Sequence, residues 1–200
     1  MTEQTRRPGV LMRLYWRIFY GKDEWLDLVD PEGRILGRAP RTVCHRKSGK
    51  TAGGNPGNRY LHQVVHLHVT DPSGNLYMQK RAMTREIEPG KWDTSVGGHV
   101  LSGETVEEAL VRETREELGL RDFVPRSLLR YIWESDREYE LVNVFTVRTG
   151  QTPVPDPEET DGGRFWTATE IREGLESGLF TPNFVQEYPR IRESLEEKRS

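Results

Sequence analysis

The chain has 200 residues, a formal net charge of −3 and a pI near 6.0. This length suits one domain with extensions, or at most two small domains. The weak negative charge excludes a strongly basic surface, so we expect neither a nucleic acid polymer nor a membrane among its partners. The single cysteine, Cys44, cannot form an internal disulfide. Because no secretion signal is recognisable, we expect a protein of the reducing cytoplasm.

The most apolar early segment is VLMRLYWRIFY at residues 10–20. It is too short to span a bilayer, and Arg13 and Arg17 interrupt it and fall on one face of a helix. We therefore expect residues 1–23 to form an arm that docks on the domain at 24–200, or on a partner subunit of a homodimer. Contact with a membrane surface is the less favoured alternative.

Apolar and alternating runs predict a series of short strands along the rest of the chain. A turn at Pro31–Gly33 separates the first two, a glycine-rich loop follows at residues 46–58, and a polar loop at 150–163 precedes the last. The predicted strands are WLDLVD (25–30), RILGRA (34–39), LHQVVHLHVT (61–70), LYMQKRA (76–82), TSVGGHV (94–100), SLLRYIW (127–133), YELVNVFTVR (139–148) and RFWTA (164–168).

Two closing helices are predicted, ATEIREGLESG at residues 168–178 and a longer helix at 180–200 that is expected to kink at Pro189. Strands and helices interleave irregularly and several strands form hairpins. We therefore predict the α+β class, in which a mixed sheet packs against helices.

A third helix is predicted at residues 106–118. Thr105 and Glu108 form a capping box, and Gly119 occupies the position of a C′ glycine. One stripe of the helix is expected to pack inward. It consists of Val106, Ala109, Leu110, Thr114 and Leu118.

Glu113, Glu116 and Glu117 of this helix lie at i, i+3 and i+4, so their carboxylates share one face. Like charges at this spacing destabilise a helix by about 0.2–0.5 kcal/mol per pair. Arg112 can offset part of that repulsion by pairing with Glu116 or Glu104, and a hard divalent cation would offset more. A solvated charged face is the alternative that the spacing alone leaves open.

The residues before the helix favour the cation. From Gly98 to Leu120 the pattern G-x5-E-x7-R-E-U-x-E-E-x-G-U, where U is bulky and aliphatic, is matched at every fixed position, and Thr114 stands at a U position. This pattern resembles the Nudix box. The resemblance implies a Nudix fold and a Mg²⁺- or Mn²⁺-dependent hydrolase that cleaves a diphosphate linkage in a nucleoside diphosphate linked to another group.

The resemblance also implies a role for each residue that stands at a matching position of the box. Glu113, Glu116 and Glu117 are implied metal ligands, joined by the carbonyl of Gly98. Glu116 and Glu117 are thereby catalytic candidates, whereas Glu104 and Arg112 are expected to tie the loop to the helix.

A second similarity points to type 1 isopentenyl-diphosphate isomerases, which are Nudix relatives. It covers EWLDLVDPEGRILG, LHQVVHLHV, PGKWDTSVGGHV and EYELVNVF. In that family an essential cysteine stands where this chain has Gly97, and the helix that is intact here is degraded. The similarity therefore favours an isomerase-like subgroup of Nudix hydrolases over an isomerase.

The isomerases bind a metal through histidines and a Glu-x-Glu pair. The matching positions here are His62, His99, Glu138 and Glu140, with His45 as a looser match. Glu138 and Glu140 alternate on a predicted strand, so they share a face, and a carboxylate pair suits a general base. An exposed acidic strand end is the alternative.

His62, His66 and His68 also share a strand face. Neighbouring same-face residues are about 6.6 Å apart, which spreads three ligands too far for one ion. We therefore expect these histidines to be partly buried or to line a cleft.

Several other residues are candidates with structural alternatives. His99, Lys80 and Arg81 are candidate substrate contacts, the two cations through phosphate. Glu158 and Glu159 in the polar loop are alternative general bases. Trp92 and Trp166 are expected to pack in the core rather than stack on a base or sugar.

A non-catalytic sensor of a nucleotide or metabolite remains an alternative function, because a fold does not determine activity. No base-reading or sugar-reading motif is apparent, so the sequence leaves the leaving group open.

Overall fold

The computed structural model describes residues 23–46, 60–157 and 160–196. Most of the predicted arm, residues 47–58 of the glycine-rich loop, and Glu158 and Glu159 lie outside the described residues. The described residues form two compact units, each built from separate stretches of the chain. The predicted domain boundaries at residues 1–23 and 24–200 remain a prediction.

The strands are β1 (Trp25–Val29), β2 (Ile35–Pro40), β3 (His62–Thr70), β4 (Leu76–Arg81), β5 (Trp92–Asp93), β6 (Val96–His99), β7 (Arg126–Glu134), β8 (Tyr139–Arg148) and β9 (Thr160–Trp166). The helices are α1 (Arg41–Cys44), α2 (Val106–Leu118), α3 (Ala168–Gly174) and α4 (Pro182–Glu196). The structure combines a mixed sheet with α-helices, which confirms the predicted α+β class.

The first unit contains the described residues up to Val64, with His99–Ala109 and Arg130–Asn143. Strands β1 and β2 pair antiparallel around the predicted turn, and β1 pairs with the start of β3 through Leu28 and His62. A core cluster forms beneath them. It consists of Leu26, Leu28, Ala39, Val43, Cys44 and Tyr60.

The second unit contains Val65–Gly98, Leu110–Leu129 and the described residues from Val144 onward. Strand β4 is central to it and pairs antiparallel with β3, β5 and β9. An aromatic chain packs among its buried residues, with ring centroids 5.0–5.4 Å apart from each ring to the next. Its members are Trp92, Trp166, Phe180, Phe184 and Tyr188.

Strand β9 begins at Thr160, four residues before the predicted start. Pairing with β4 extends it, because Gln79 lies opposite Gly163 and Arg81 opposite Thr160. A Cβ at Gly163 would approach the Met78 carbonyl oxygen to 2.8 Å, so the glycine that suggested a loop is what lets the strands meet. Local composition carries no information about this tertiary pairing.

The other differences concern short elements and helix ends. Strand β5 and helix α1 were not predicted, because two and four residues are too few to show periodicity. Helix α3 ends at Gly174, earlier than predicted, whereas Pro189 lies inside α4. Each helix of the described residues falls short of the length and hydropathy that a membrane span requires.

Candidate functional site

Helix α2 forms as the sequence predicts. The Glu108 backbone N–H donates to Thr105 Oγ1 at 3.2 Å, and the Thr105 N–H donates to Glu108 Oε2 at 2.8 Å, which confirms the capping box. Gly119 has φ +66°, a left-handed conformation that favours glycine, and ends the helix. Four residues of the predicted stripe are buried, namely Ala109, Leu110, Thr114 and Leu118.

We name the residues Gly98, Glu113, Glu116 and Glu117 the carboxylate face. Arg112 Nη1 lies 2.8 Å from Glu113 Oε1 and 3.2 Å from Glu116 Oε2. The predicted pairing of Arg112 with Glu116 is therefore present, and the same guanidinium also holds Glu113. The side chain of Glu113 is 15% exposed and that of Glu116 is 59% exposed, so the face runs from a half-buried end to solvent.

Gly98 lies against the carboxyl group of Glu113. A Cβ built on Gly98 would lie 2.0 Å from Glu113 Cδ and 2.2 Å from Oε1, closer than real contacts allow. Only glycine therefore accommodates Glu113 in this position, which brings the backbone of Gly98 and a carboxylate together. A set of carboxylate and carbonyl oxygens is what a hard divalent cation such as Mg²⁺ prefers, so these residues fit the ion that the Nudix resemblance implies.

Gln79 on β4 contacts the carboxylate face, and the sequence did not single it out. Its Nε2 donates to Glu117 Oε2 and to the Ser95 carbonyl oxygen, both at 2.6 Å. The sequence signal that could have identified Gln79 is its position as a polar residue directly after three apolar ones. Those three, Leu76, Tyr77 and Met78, are all buried.

A second group of metal-ligating residues lies in the first unit. Its potential ligand atoms are all within 4.8 Å of one another, and we name it the histidine cluster: His45, His62, His99 and Glu140. His45 Nε2 is 2.9 Å from His99 Nε2, and His62 Nε2 is 3.7 Å from Glu140 Oε1. The structure thus groups four of the positions that the isomerase similarity identified, including the looser match.

Burial makes the histidine cluster suited to a cation. His62 is fully buried, and its Nδ1 donates a hydrogen bond to the Tyr60 carbonyl oxygen at 3.0 Å, so the other ring nitrogen, Nε2, is the one directed toward Glu140. Within the described part of the chain, His62 Nε2 has no hydrogen-bond partner. Burial, and next the charge of His62, lower the pKa of His45 to about 4, which keeps this imidazole neutral near pH 7, the state that binds metals.

Glu138, a predicted catalytic residue, is not a member of the histidine cluster. It precedes β8, and its carboxylate accepts hydrogen bonds from Trp133 Nε1 at 2.8 Å and from Ser135 Oγ at 3.2 Å. Glu138 lies just before β8 and Glu140 within it, and their predicted pairing on one face remains a prediction.

Lys80 and Arg81, the two predicted phosphate contacts, lie at the end of β4. Arg81 Nη1 lies 3.0 Å from Asp93 Oδ2, and its Nε donates to the Ile87 carbonyl at 3.0 Å, so this guanidinium closes the β4–β5 connection. Lys80 is half-buried and lies opposite Trp92 in the strand ladder. His99, predicted to contact substrate, lies in the histidine cluster, whereas Trp166 is buried among aromatic rings.

His66 and His68 form a separate buried group with Glu187 of α4. His66 Nδ1 is 3.0 Å from Glu187 Oε2, and His68 Nε2 is 2.6 Å from Glu187 Oε1. Glu187 is fully buried, and although burial alone would raise its pKa, the two histidines hold it well below the ordinary value. The sequence did not indicate this contact, because Glu187 is an ordinary glutamate within a predicted helix.

Comparison with known proteins places the chain in a family. The NUDIX domain model matches residues 60–185. An isopentenyl-diphosphate Delta-isomerase of Streptomyces griseus is 30% identical over 166 residues, which cover 80% of this chain and 79% of the relative. A Nudix hydrolase of Deinococcus radiodurans is 30% identical over 159 residues, covering 78% of this chain and 86% of the relative.

A solved structure agrees with these relatives. The crystal structure of DR0079 from Deinococcus radiodurans has a TM-score of 0.65 and 26% sequence identity, with 82% of this chain and 98% of that chain covered. The matched domain spans well over half of the chain, and it includes both the Gly98 segment and α2. The chain therefore belongs to the Nudix family and is a pyrophosphohydrolase.

Proposed function

We propose that the protein hydrolyses the diphosphate linkage of a nucleoside diphosphate joined to another group, and that the reaction requires Mg²⁺ or Mn²⁺ at the carboxylate face. The observation that carries this proposal is the contact between Gly98 and Glu113, because it exists only where a glycine backbone and a carboxylate converge. The complete Nudix pattern from Gly98 to Leu120 supports it.

Hydrolysis breaks a P–O bond to the bridging oxygen of the diphosphate while water forms a new P–O bond. A bound divalent cation would supply charge stabilisation for the phosphoryl oxygens. The chain's own part is to hold Glu113, Glu116 and Glu117 on one face, and Arg112 restrains two of them. A water proton must also pass to a base, for which Glu138 and Glu140 are the candidates, and Glu138 alone if the Glu140 carboxylate is a metal ligand.

A panel of Mg²⁺ complexes of nucleoside-diphosphate-linked compounds, assayed for release of phosphate products, tests the activity. Glu116→Gln should reduce turnover by orders of magnitude and raise the Mg²⁺ requirement while the fold is retained. Glu107→Gln, an exposed glutamate of the same helix, is the matched control and should behave as wild type. Unchanged turnover in Glu116→Gln would contradict the proposed role of the face.

The general base is tested on whichever compound of the panel is cleaved. Glu138→Gln or Glu140→Gln should slow cleavage more than Glu159→Gln if β8 and the residue before it supply the base. The reverse order would move the role to the loop that contains Glu158 and Glu159.

We further propose that the histidine cluster holds a divalent transition-metal ion. Around an ion bound at about 2.1 Å in a tetrahedral site, ligand atoms stand about 3.4 Å apart. The separations of 2.9 Å, 3.7 Å and 4.0 Å within the cluster bracket that value, and three imidazoles with one carboxylate suit Zn²⁺ or Fe²⁺ better than Mg²⁺. The ion should be measurable by elemental analysis of purified protein, and His62→Ala should lose it. His66→Ala, a change at a buried histidine outside the cluster, should keep it.

Isomerase activity is the second candidate function, because the relative from Streptomyces griseus carries that name. Two observations oppose it. Gly97 has no side chain to donate a proton, and burial raises the pKa of the single thiol, Cys44, to about 12. A sensor without turnover is the third candidate, and it predicts ligand binding without products in the same panel.

A further inference from the structure

We propose that Gln79 is a positioning residue for Glu117, and that its amide clamps the last turn of α2 to the segment that leads into β6. This inference rests on the proposed role of Glu117 as a metal ligand. It concerns a residue outside the Nudix pattern, on a strand that precedes it in the chain.

The amide orientation of Gln79 is determined by its partners. Both are acceptors, the Glu117 carboxylate and the Ser95 carbonyl, and each lies 2.6 Å from Nε2. A flipped amide would direct its oxygen at two other oxygens, so Nε2 must face them and use both of its N–H groups. Gln79 therefore bridges two elements with one nitrogen.

The bridge is anchored on the Ser95 side. Ser95 is fully buried, its Oγ donates to the Tyr77 carbonyl oxygen, and it accepts from the Val69 N–H at 2.8 Å. Ser95 directly precedes β6, which contains Gly98. The clamp thus joins the segment that carries the Gly98 backbone to the helix turn that carries Glu117.

Burial of the polar amide of Gln79 is energetically unfavourable, and this favours a functional role for its two hydrogen bonds. Gln79 is 4% exposed, and within the described part of the chain its Oε1 is buried without a hydrogen-bond partner. An apolar side chain such as methionine would fill a similar volume without an unpaired amide oxygen in the core. What methionine could not do is hold the carboxylate of Glu117.

The chemistry of the donor also fits a metal ligand. Arg112 contacts Glu113 and Glu116 with a positive charge, whereas the amide of Gln79 is neutral. A neutral donor orients a carboxylate and leaves its negative charge for a cation. Hydrogen bonds of this kind to ligating carboxylates are common, and their loss costs about 10- to 100-fold in metal affinity.

The test compares Gln79→Met with wild type and with Asn143→Leu. Asn143 is a matched control, since it is a buried amide whose Nδ2 donates to the Val64 and Leu141 carbonyls. Mn²⁺ binding without substrate is followed by electron paramagnetic resonance of the free ion. The Glu117→Gln variant defines which part of that binding depends on the carboxylate face.

Gln79→Met should weaken the Glu117-dependent Mn²⁺ binding about tenfold, whereas Asn143→Leu should leave it within about twofold of wild type. In the Glu117→Gln background, Gln79→Met should add no further loss, because the two residues act as one unit. With a cleavable diphosphate, the half-saturating Mg²⁺ concentration should rise while KM for the diphosphate at saturating Mg²⁺ stays the same.

Gln79→Asn provides a second variant, because it keeps an amide in the core but is too short to reach both partners, and it should match Gln79→Met. The proposal is overturned if the folded Gln79 variants bind Mn²⁺ like wild type, if their effect adds independently to that of Glu117→Gln, or if Glu117→Gln itself leaves Mn²⁺ binding unchanged. A wild-type protein that binds Mn²⁺ through Glu117 but cleaves no diphosphate would contradict only the proposed function.

Discussion

At the residue scale, the most informative feature of the carboxylate face is Gly98, which has no side chain. Gly97 and Gly98 are neighbours, but the structure gives them different surroundings. A Cβ at Gly97 would make ordinary contacts, at 3.6 Å from Thr94 Cγ2 and 3.7 Å from His66 Cδ2. A Cβ at Gly98 would overlap the carboxyl group of Glu113. Gly98 is therefore required by packing, whereas Gly97 is not.

Gly98→Ala should displace the Glu113 carboxylate while leaving the fold intact, because the overlapping atoms, Cγ, Cδ and Oε1, belong to one side chain and none is backbone. We expect the half-saturating Mg²⁺ concentration to rise about tenfold or more, with the free energy of unfolding changed by less than about 1 kcal/mol. Magnesium titrations of activity and urea unfolding measure the two quantities. Gly97→Ala is the control, and an equal effect of both variants would show that the overlap is not the cause.

At the element scale, helix α4 is joined to strand β3 by a buried charged group. Glu187 lies inside α4 and bonds His66 and His68 on alternate positions of β3. Buried ion pairs add little net stability, but removal of one partner leaves the others without compensation. We therefore expect the intact contact to add little net stability, but the loss of one partner to destabilise the protein.

Glu187→Gln should lower the free energy of unfolding by about 3–5 kcal/mol near neutral pH, because His66 and His68 lose a buried carboxylate. The pKa of Glu187 is lowered in the folded state, so its contribution is full above the ordinary value of 4.5 and is lost as the pH falls through the folded pKa. The difference between wild type and variant should consequently persist at pH 5.5 and narrow near pH 4.

Urea unfolding at these pH values measures the difference. Glu193→Gln on the exposed part of the same helix serves as the control and should change the free energy of unfolding by less than about 0.5 kcal/mol. A Glu187→Gln variant as stable as wild type at neutral pH would mean that the two histidines do not need the carboxylate.

At the scale of the whole molecule, the chain combines a complete hydrolase motif with a cluster of potential metal ligands at positions that the isomerase similarity identified. Isomerisation requires a proton donor and an acceptor on opposite sides of a C5 chain. Hydrolysis requires a metal-bound diphosphate, a water and a base, for which this chain has candidates. The features together favour hydrolysis.

Purified protein with Mg²⁺ should cleave a nucleoside-diphosphate-linked compound and leave isopentenyl diphosphate unchanged, because position 97 has no thiol. Product analysis by NMR after long incubation distinguishes dimethylallyl diphosphate from the starting compound. Gly97→Cys, whose Cβ would meet its nearest neighbour at 3.6 Å, is the variant that introduces a thiol at this position. Catalytic formation of dimethylallyl diphosphate by the wild-type protein would overturn the hydrolase assignment.

Much of the fold followed from local patterns. Helix α2 has the bounds that its cap, its stripe and Gly119 predict, since each signal acts within a few residues. The start of β9 and the short strand β5 did not follow, since partner strands define them. Of the predicted site residues, Glu113, Glu116 and Glu117 lie at the expected spacing on α2. Glu138 is bonded by Trp133 and Ser135, whereas Glu140 lies in the histidine cluster, an environment that packing between elements determines.

By itself the sequence determined the family, the α+β class and the face of three glutamates, because these depend on spacing along one helix and one loop. The tertiary structure alone decided which distant residues meet. It brought His45, His62, His99 and Glu140 within 4.8 Å, placed Gln79 against Glu117, and joined Glu187 to two histidines more than a hundred residues earlier. The physical reason is that periodicity reports which side of an element is buried, whereas the partner on that side is chosen by packing between elements.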